Sequence, residues 1–310
     1  MHIETQLLDW LLAGDPMIRW QVMRDLLHEP ESVWRAEQAQ VVTEGWGAAF
    51  LQRQLPNGGW PKGRWTETPW TLLLLLDCGM PTQLEALRRG ADFQISHLFP
   101  AGRPVEHRLL KERLDLCHVG FWLRFGSACL PNDARLPAMA DAIFDLQMAD
   151  GGWNCRIRNY PDTVHSSFHT TFNVLEGLRD AVAAGVVDPA RFVAAEDRAL
   201  EFMLAHRLYK SDKTGAIIDE AMTRLTYPSY WHYTFLRGLD YIRSTRHIGD
   251  LRVNDALELL ASKRKANGRW PVEKRIPGVT FFDMEKPGSE SRWNTLRALR
   301  VLAARDACHR

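Results

Sequence analysis

A short turn motif recurs along this 310-residue chain and constrains its fold more than any other feature. Residues 54–60 read Gln-Leu-Pro-Asn-Gly-Gly-Trp, residues 147–153 read Gln-Met-Ala-Asp-Gly-Gly-Trp, and residues 265–270 read Lys-Ala-Asn-Gly-Arg-Trp. Each gap between these copies has room for two repeats, and helical stretches end near residues 98 and 208 at the expected points. The chain is therefore predicted to hold five turn sites, at about 55, 98, 148, 208 and 266.

Each turn site follows an amphipathic stretch and leads, after a loop, into a more apolar one. Asn-Gly and Asp-Gly sequences end helices because glycine readily adopts positive φ. The apolar stretches carry few charges and are predicted as buried helices over 66–78, 114–130, 164–183, 227–244 and 289–304. Residues 4–12 and 16–28 form a further pair, the second beginning with Asp15 as N-cap and Pro16 after it.

Six helix pairs can close into a ring. Since no stretch shows sustained alternation of apolar and polar residues, we expect an all-α fold. The pattern predicts one domain over residues 1–310, an α/α toroid with the first helix of each pair outside and the second inside. All inner helices then begin at one rim, where helix N-termini favour anions. An open solenoid of the same pairs is the alternative.

Composition excludes several classes of function. Lys and Arg number 39 against 38 Asp and Glu, a balance that disfavours a nucleic-acid partner. The longest apolar run, residues 72–76, is far too short to cross a bilayer, so no transmembrane segment is predicted. The first residues lack the features of a signal peptide, and the five widely spaced cysteines favour reduced thiols. We expect a cytoplasmic protein.

The Gln-x-x-x-Gly-Gly-Trp turns resemble the repeats of the terpenoid cyclase and protein prenyltransferase superfamily over nearly the whole chain. The resemblance implies an α/α toroid around an apolar, aromatic-lined cavity. Residues 115–122 (Asp-Leu-Cys-His-Val-Gly-Phe-Trp) and 168–178 (Phe-His-Thr-Thr-Phe-Asn-Val-Leu-Glu-Gly-Leu) further resemble the zinc-binding segments of the protein prenyltransferase β subunit. By this resemblance, Asp115, Cys117 and His169 are zinc ligands.

The chemistry of these side chains is compatible with that assignment. Carboxylate, thiolate and imidazole all bind zinc, and three protein ligands leave a catalytic fourth position open. Asp115 and Cys117 are two residues apart, so they converge only across an irregular first helical turn. Cys155 and His165 are additional candidate ligands, and an Asp-Cys-Cys-His site would be closed and structural. In the alternative without a metal, Asp115 is an N-cap, Cys117 is a small buried residue, and His169 is a hydrogen-bonded core histidine.

Two basic stretches are candidates for binding a diphosphate, since arginine gives bidentate contacts and lysine a point charge. In the prenyltransferase family, an arginine and a lysine three residues apart precede the Asp-x-Cys segment. Arg108 and Lys111 have that spacing, but their distance from Asp115 differs from the family pattern by one residue. His118 stands where the family has a tyrosine. Either stretch can instead be a solvated loop. The candidate diphosphate ligands are Arg108, Lys111, Arg113, His118, His206, Arg207 and Lys210.

Twelve tryptophans are many for a chain of this length and suit the lining of a large apolar cavity. Such a lining accommodates an isoprenoid chain or stabilises a developing cation through cation-π contacts, although many aromatic side chains of buried helices are simply core. The candidate cavity residues are Trp65, Trp70, Trp122, Trp153, Phe168, Phe172, Tyr230, Trp231 and Trp293.

Three functions follow from these observations. The resemblance implies a zinc-dependent, prenyltransferase-like enzyme that joins an isoprenoid diphosphate to a nucleophile, with a small thiol or a protein thiol as acceptor. A terpenoid cyclase-like enzyme is the first alternative, although the Asp-x-Asp-Asp acid motif of those cyclases is absent here. The second is a non-catalytic toroid that binds a lipid or a partner protein, its metal structural or absent.

Overall fold

Helices make up most of the computed structural model, which describes residues 3–61, 67–100, 104–105, 115–274, 276 and 281–308. The class is all-α, as predicted. In these residues a single short antiparallel pair joins β1 (Trp270–Pro271) to β2 (Glu290–Ser291). No described helix has both the length and the apolar character that a membrane span requires. The described α-helices are α1 (Thr5–Leu12), α2 (Pro16–Asp25), α3 (Glu31–Ala39), α4 (Gly45–Leu51), α5 (Glu67–Asp77), α6 (Glu85–Leu98), α7 (Leu116–Cys129), α8 (Arg135–Asp145), α9 (Phe168–Ala183), α10 (Pro189–Ala205), α11 (Phe235–Ile242), α12 (Asn254–Ser262) and α13 (Arg292–Cys308).

The chain divides into two compact units. The central unit comprises Arg53–Asp77 and Pro81–Met203 and contains α5 to α9 with most of α10. The terminal unit comprises Met1–Gln52, Cys78–Met80 and Leu204–Arg310 and contains α1 to α4 and α11 to α13. The sequence prediction of one domain over residues 1–310 stays a prediction.

The turn at residues 147–153 shows how the repeated motif folds. Gly151 has a φ of +101°, which explains the glycine at this position. The Gln147 side-chain amide donates to the Gly151 carbonyl over 2.6 Å and so closes the turn. The Trp153 indole N–H donates to the Ile143 carbonyl at 2.7 Å, which holds the turn against the preceding helix.

A threonine hydroxyl then joins each turn to the buried helix that follows it. The backbone N–H of Trp153 donates to Thr171 of α9 at 2.9 Å. The equivalent tryptophans of the other two copies donate to Thr68 of α5 and Thr295 of α13, both at 3.0 Å. The three copies are therefore structurally equivalent as well as similar in sequence.

Replacing Thr171 by valine is expected to lower the free energy of unfolding by about 1–3 kcal/mol, because it leaves the buried Trp153 N–H without its acceptor. Both residues are fully buried, so water cannot replace the lost bond. Chemical denaturation measures the difference. Thr163→Val, at a partly exposed loop position, is the control and should cost under about 0.5 kcal/mol. Equal losses in the two variants would contradict the proposed role of Thr171.

Glycines bring α7 and α9 into backbone contact. A Cβ atom on Gly177 of α9 would lie 2.3 Å from the Gly120 carbonyl oxygen of α7. A Cβ on Gly120 would in turn lie 2.5 Å from the Asn173 carbonyl oxygen. These distances are too short for any side-chain atom, so only glycine permits this packing. The contact holds the second turn of α7 against the second and third turns of α9.

One arginine ties three helices of the central unit together. The Arg124 guanidinium of α7 lies 2.6 Å from Asp77 at the end of α5, and 3.0 and 3.1 Å from Glu176 and Asp180 of α9. Its side chain is only 13% exposed. Burial is the largest influence on Asp180 and raises the pKa of its carboxyl despite the arginine. The network thus depends on the one central positive charge.

The Arg124→Met variant should lose about 2–3 kcal/mol of unfolding free energy. Removing one partner of a fully buried ion pair typically costs ~3–5 kcal/mol. The loss expected here is smaller because two of the carboxylates are partly exposed. Without the guanidinium, the three neighbouring carboxyls resist ionisation in the folded state more than in the unfolded chain. The loss of unfolding free energy should therefore be larger at pH 8, where they must ionise, than at pH 5. Denaturant unfolding at both pH values measures it, with Arg35→Met on the exposed surface of α3 as control. A deficit independent of pH would contradict this account.

A comparable network joins α11 and α13 in the terminal unit. The buried Asp240 carboxylate lies 3.0 Å from Arg297 and also contacts Arg300. Burial by itself would raise the pKa of Asp240, but the two guanidinium groups outweigh it and hold that pKa well below its usual range. Both units therefore use buried ion pairs between the predicted inner helices.

Two predicted helices begin four or more residues later than expected, and side-chain caps explain both differences. α9 begins at Phe168 rather than near residue 164, because the Ser167 hydroxyl accepts the Thr170 N–H at 3.4 Å. α11 covers Phe235–Ile242 instead of 227–244, because Thr234 caps it and Pro228 lies inside the predicted start. The loops that precede these helices are correspondingly longer than the sequence pattern indicates.

Candidate metal centre

Three potential metal ligands converge at the start of α7. Asp115 is the N-cap residue and has extended backbone angles, φ −64° and ψ 128°, while Cys117 and His118 lie in the first helical turn. One ligand atom from each, namely a carboxylate oxygen, Sγ and a ring nitrogen, lies within 4.8 Å of the other two. Among the described residues, no other group of three or more His, Cys, Asp or Glu side chains is so arranged.

The Asp115 side chain does not act as a helix cap. Its backbone carbonyl accepts the N–H groups of His118 at 3.0 Å and Val119 at 3.3 Å, but its carboxylate accepts no capping bond. The Cys117 N–H donates instead to Sγ of Cys155 at 3.4 Å. An N-cap role therefore accounts for the backbone of Asp115 but not for its carboxylate, which lies near the cysteine and the histidine.

Cys155 adds a second sulfur beside Cys117. Its backbone N–H donates to the Thr170 hydroxyl oxygen at 3.3 Å, and that hydroxyl donates to Cys155 Sγ, also at 3.3 Å. The adjoining Cys117 side chain lowers the pKa of Cys155, and the Thr170 hydroxyl acts in the same direction. The Cys155 side chain, together with burial, raises the pKa of Cys117. Cys155 is therefore the first of the two sulfurs to become a thiolate.

The surroundings of the His118 ring favour its neutral form. Burial is the largest influence and lowers the pKa of the imidazole, while the nearby Asp115 carboxylate acts in the opposite direction. Its ring contacts Phe121 and Trp122, with centroids 6.0 and 5.9 Å away. A neutral imidazole has a nitrogen lone pair for a metal, so His118 suits a ligand role as well as the diphosphate role predicted from the sequence.

His169 and His165 lie outside this cluster. His169 is the second residue of α9, half-buried, and its carbonyl accepts the Asn173 side-chain amide at 2.7 Å. His165 lies exposed in the preceding loop, where its carbonyl accepts the Asn154 side chain at 2.8 Å. Neither ring belongs to the group of ligand atoms within 4.8 Å of one another. In this structure His118, rather than His169, completes the set with Asp115 and Cys117.

The predicted diphosphate ligands are only partly described. Arg108, Lys111 and Arg113 lie outside the described residues, as does the predicted cavity residue Trp65. In the terminal unit, Arg207 and Lys210 both contact one carboxylate oxygen of Asp255, at 3.2 and 2.7 Å. These two cations therefore already have an anionic partner.

A cavity of about 360 Å³ lies beside this ion pair. Its lining includes Asp212, which is 3.6 Å from Nε2 of His206, and Arg252, which is 2.8 Å from Asp250. A diphosphate would have to compete with these carboxylates for every cation of the cavity. The lining residues are Ala205, Arg207, Lys210, Ser211, Asp212, Gly215 and Arg252.

The described aromatic candidates are distributed over both units. Those of the central unit (Trp70, Trp122, Trp153, Phe168, Phe172) are buried, as are Tyr230 and Trp293 of the terminal unit, whereas Trp231 is half-buried. Several pack on other rings: Trp122 meets Phe99 edge-on with centroids 5.4 Å apart, and Phe168 lies 5.1 Å from Phe202. These two contacts belong to the core of the central unit.

No family model, curated protein or solved structure matches this chain. A function for this chain must therefore be inferred from its own residues and from their arrangement at the start of α7.

Proposed function

We propose that this chain is an α/α toroid of about six helix pairs that binds zinc and acts as a prenyltransferase-like enzyme. The observation that carries the proposal is the approach of a carboxylate, a thiol and an imidazole to within 4.8 Å of one another at the first turn of α7. The resemblance of the repeats supports the toroid, as does the equivalence of the three turns that end in Trp60, Trp153 and Trp270.

The donor set fits zinc rather than a harder cation. Magnesium and calcium take oxygen ligands, whereas zinc binds mixed oxygen, nitrogen and sulfur sets. Asp115, Cys117 and His118 would supply three ligands and leave one position open to an acceptor. A zinc ion in such a site keeps an acceptor thiol in its nucleophilic thiolate form.

Other residues of the chain would bind the isoprenoid diphosphate. Trp122 follows His118 by one helical turn and lies beside it, so an apolar surface adjoins the candidate metal ligands. We propose that such aromatic side chains contact the isoprenoid chain, and that Arg108, Lys111 and Arg113 bind the diphosphate. The acceptor is a small thiol or the cysteine of a partner protein.

The test is a transfer assay with zinc, a farnesyl or geranylgeranyl diphosphate, and either a small dithiol or a cysteine peptide. Mass spectrometry should detect a thioether product, and Cys117→Ser should reduce its rate at least about 100-fold through loss of the thiolate ligand. Cys129→Ser, at the other end of α7, is the matched control and should keep the activity. Diphosphate release without a thioether would instead favour a cyclase-like reaction.

The contact between Cys155 and Cys117 favours one second candidate, a non-catalytic toroid with a closed metal site. If Cys155 is a fourth ligand, no position remains for an acceptor, and the metal stabilises the fold. This candidate predicts zinc in the protein, no thioether product with any acceptor, and a lower melting temperature after chelation.

A further inference from the structure

The two cysteines of the candidate centre form a pair that could react with each other. We propose that Cys117 and Cys155 are a peroxide-sensitive dithiol that closes to a reversible disulfide. This inference rests on the arrangement of the thiols and requires neither zinc nor transferase activity. It adds oxidation as a covalent modification of the candidate site.

The geometry brings the two sulfurs together from distant parts of the chain. The residues are 38 positions apart, yet the Cys117 N–H donates to Cys155 Sγ at 3.4 Å. A disulfide needs a sulfur separation of about 2.05 Å, which the pair would reach by movement of the segment that carries Cys155. Cys155 lies at the start of a short 3-10 turn, where the backbone can move more readily than in the middle of an α-helix.

The surroundings of the pair favour Cys155 as the sulfur that reacts first. Its Sγ accepts hydrogen bonds from the Cys117 N–H and the Thr170 hydroxyl, and both stabilise negative charge on sulfur. Cys155 is half-buried, whereas Cys117 is 9% exposed. A small oxidant therefore meets Cys155, and Cys117 is in place as the resolving thiol.

The reaction balances with one peroxide as oxidant. The Cys155 sulfur attacks a peroxide oxygen, the O–O bond breaks, and a sulfenic acid forms with loss of one water. The Cys117 sulfur then attacks Cys155 Sγ, the S–O bond breaks, a second water leaves, and the S–S bond forms. Two thiols lose two electrons and two protons in all, and hydrogen peroxide is reduced to two waters.

Disulfide formation would remove both sulfurs as metal ligands. A zinc ion at Asp115 and His118 would then lack its thiolate, and oxidation would release it. Thiol reductants would restore the dithiol, since disulfides exchange with thiolates. If the proposed function holds, the enzyme is inactivated reversibly by peroxide.

The experiment treats the full-length protein with hydrogen peroxide, both as purified and after removal of metal with a chelator. Remaining thiols are alkylated, and a non-reducing proteolytic digest is analysed by mass spectrometry. We expect a peptide linking Cys117 to Cys155 in the chelated sample, at a mass about 2 Da below that of the two reduced peptides, and its loss after dithiothreitol. Absence of this linkage in both samples would overturn the proposal.

Single variants identify the partner thiols. Cys155→Ser and Cys117→Ser should form no linkage, whereas Cys308→Ser, which changes the exposed cysteine near the C-terminus, should form it as the wild type does. A linkage from either cysteine to Cys78, Cys129 or Cys308 in the wild type would also refute the pairing. Linkage without any zinc in the purified protein would support the dithiol while contradicting the metal site, so the two proposals fail separately.

Discussion

A Cys117→Ser protein is expected to retain less than about one tenth of the zinc bound by the wild type. A serine hydroxyl is not deprotonated near neutral pH and is a poor zinc ligand, whereas a thiolate bond contributes much of the affinity of such sites. Loss of even a supporting residue typically lowers affinity about 10–100-fold, so loss of a direct ligand should exceed this. Elemental mass spectrometry of protein purified without chelators or a polyhistidine tag gives the metal content per chain.

Two further serine variants make this prediction specific. Cys129→Ser, also buried in α7, should keep its zinc, which separates ligand loss from a general effect of removing a buried thiol. Cys155→Ser should keep most of its zinc if three ligands hold the metal, and lose it if the site is closed. A Cys117→Ser protein that is folded by circular dichroism and retains its full zinc content would refute the assignment of Cys117.

Gly177→Ala is expected to be strongly destabilising, with a loss of about 3 kcal/mol or more in unfolding free energy. The added methyl group would lie 2.3 Å from the backbone carbonyl oxygen of Gly120, and backbone atoms cannot rotate away. Overpacking typically costs about 1–3 kcal/mol when side chains can adjust, and here α7 and α9 must separate. The separation would also move Thr170 and Cys155 away from Cys117.

Denaturant unfolding measures the loss, and Gly249→Ala in the terminal unit provides the control. A Cβ at Gly249 would meet only Sγ of Cys308, at 2.8 Å, and that side chain can rotate away. The control should therefore cost less than about 1 kcal/mol. If Gly177→Ala unfolds with wild-type free energy, the close approach of α7 and α9 is not present in solution.

The repeat pattern predicts most of the helices because the signals involved are local. An Asn-Gly or Asp-Gly turn ends one helix, and an apolar stretch begins the next, so α5 and α7 have nearly their predicted bounds. α13 starts three residues and ends four residues later than predicted. The late starts of α9 and α11 follow from single hydroxyl caps at Ser167 and Thr234. A side-chain bond of this kind depends on the local backbone angles, which the hydrophobic pattern does not specify.

Interactions between distant residues were harder to predict. Arg124 stands alone in an apolar stretch of sequence, and its three carboxylate partners lie 47, 52 and 56 residues away. Thr68, Thr171 and Thr295 occupy equivalent positions, so comparison of the repeats could have identified them. The sequence offers Cys155 only as an additional metal ligand, and its direct contact with Cys117 depends on how the loop that carries it packs on α7.

For the candidate metal ligands, too, local sequence signals predict some features, and the packing of distant segments determines the others. Asp115 and Cys117 follow from the resemblance of one segment, and their approach depends on Asp115 lying just outside α7. The resemblance assigns His118 to a diphosphate because a tyrosine stands there in the family. Its position next to Cys117 at the helix start instead brings its ring close to the Asp115 carboxylate and the Cys117 sulfur. The role of His169 depends on a second helix, whose first turn the sequence places four residues too early.

The most direct test of the zinc site compares the metal content of His118→Ala and His169→Ala, each purified in parallel with the wild type and shown to be folded. The proposed zinc site predicts about one zinc per wild-type chain, loss of that zinc in His118→Ala, and full retention in His169→Ala. Loss in His169→Ala with retention in His118→Ala, or a wild-type protein that contains no zinc, would contradict the site proposed at the start of α7.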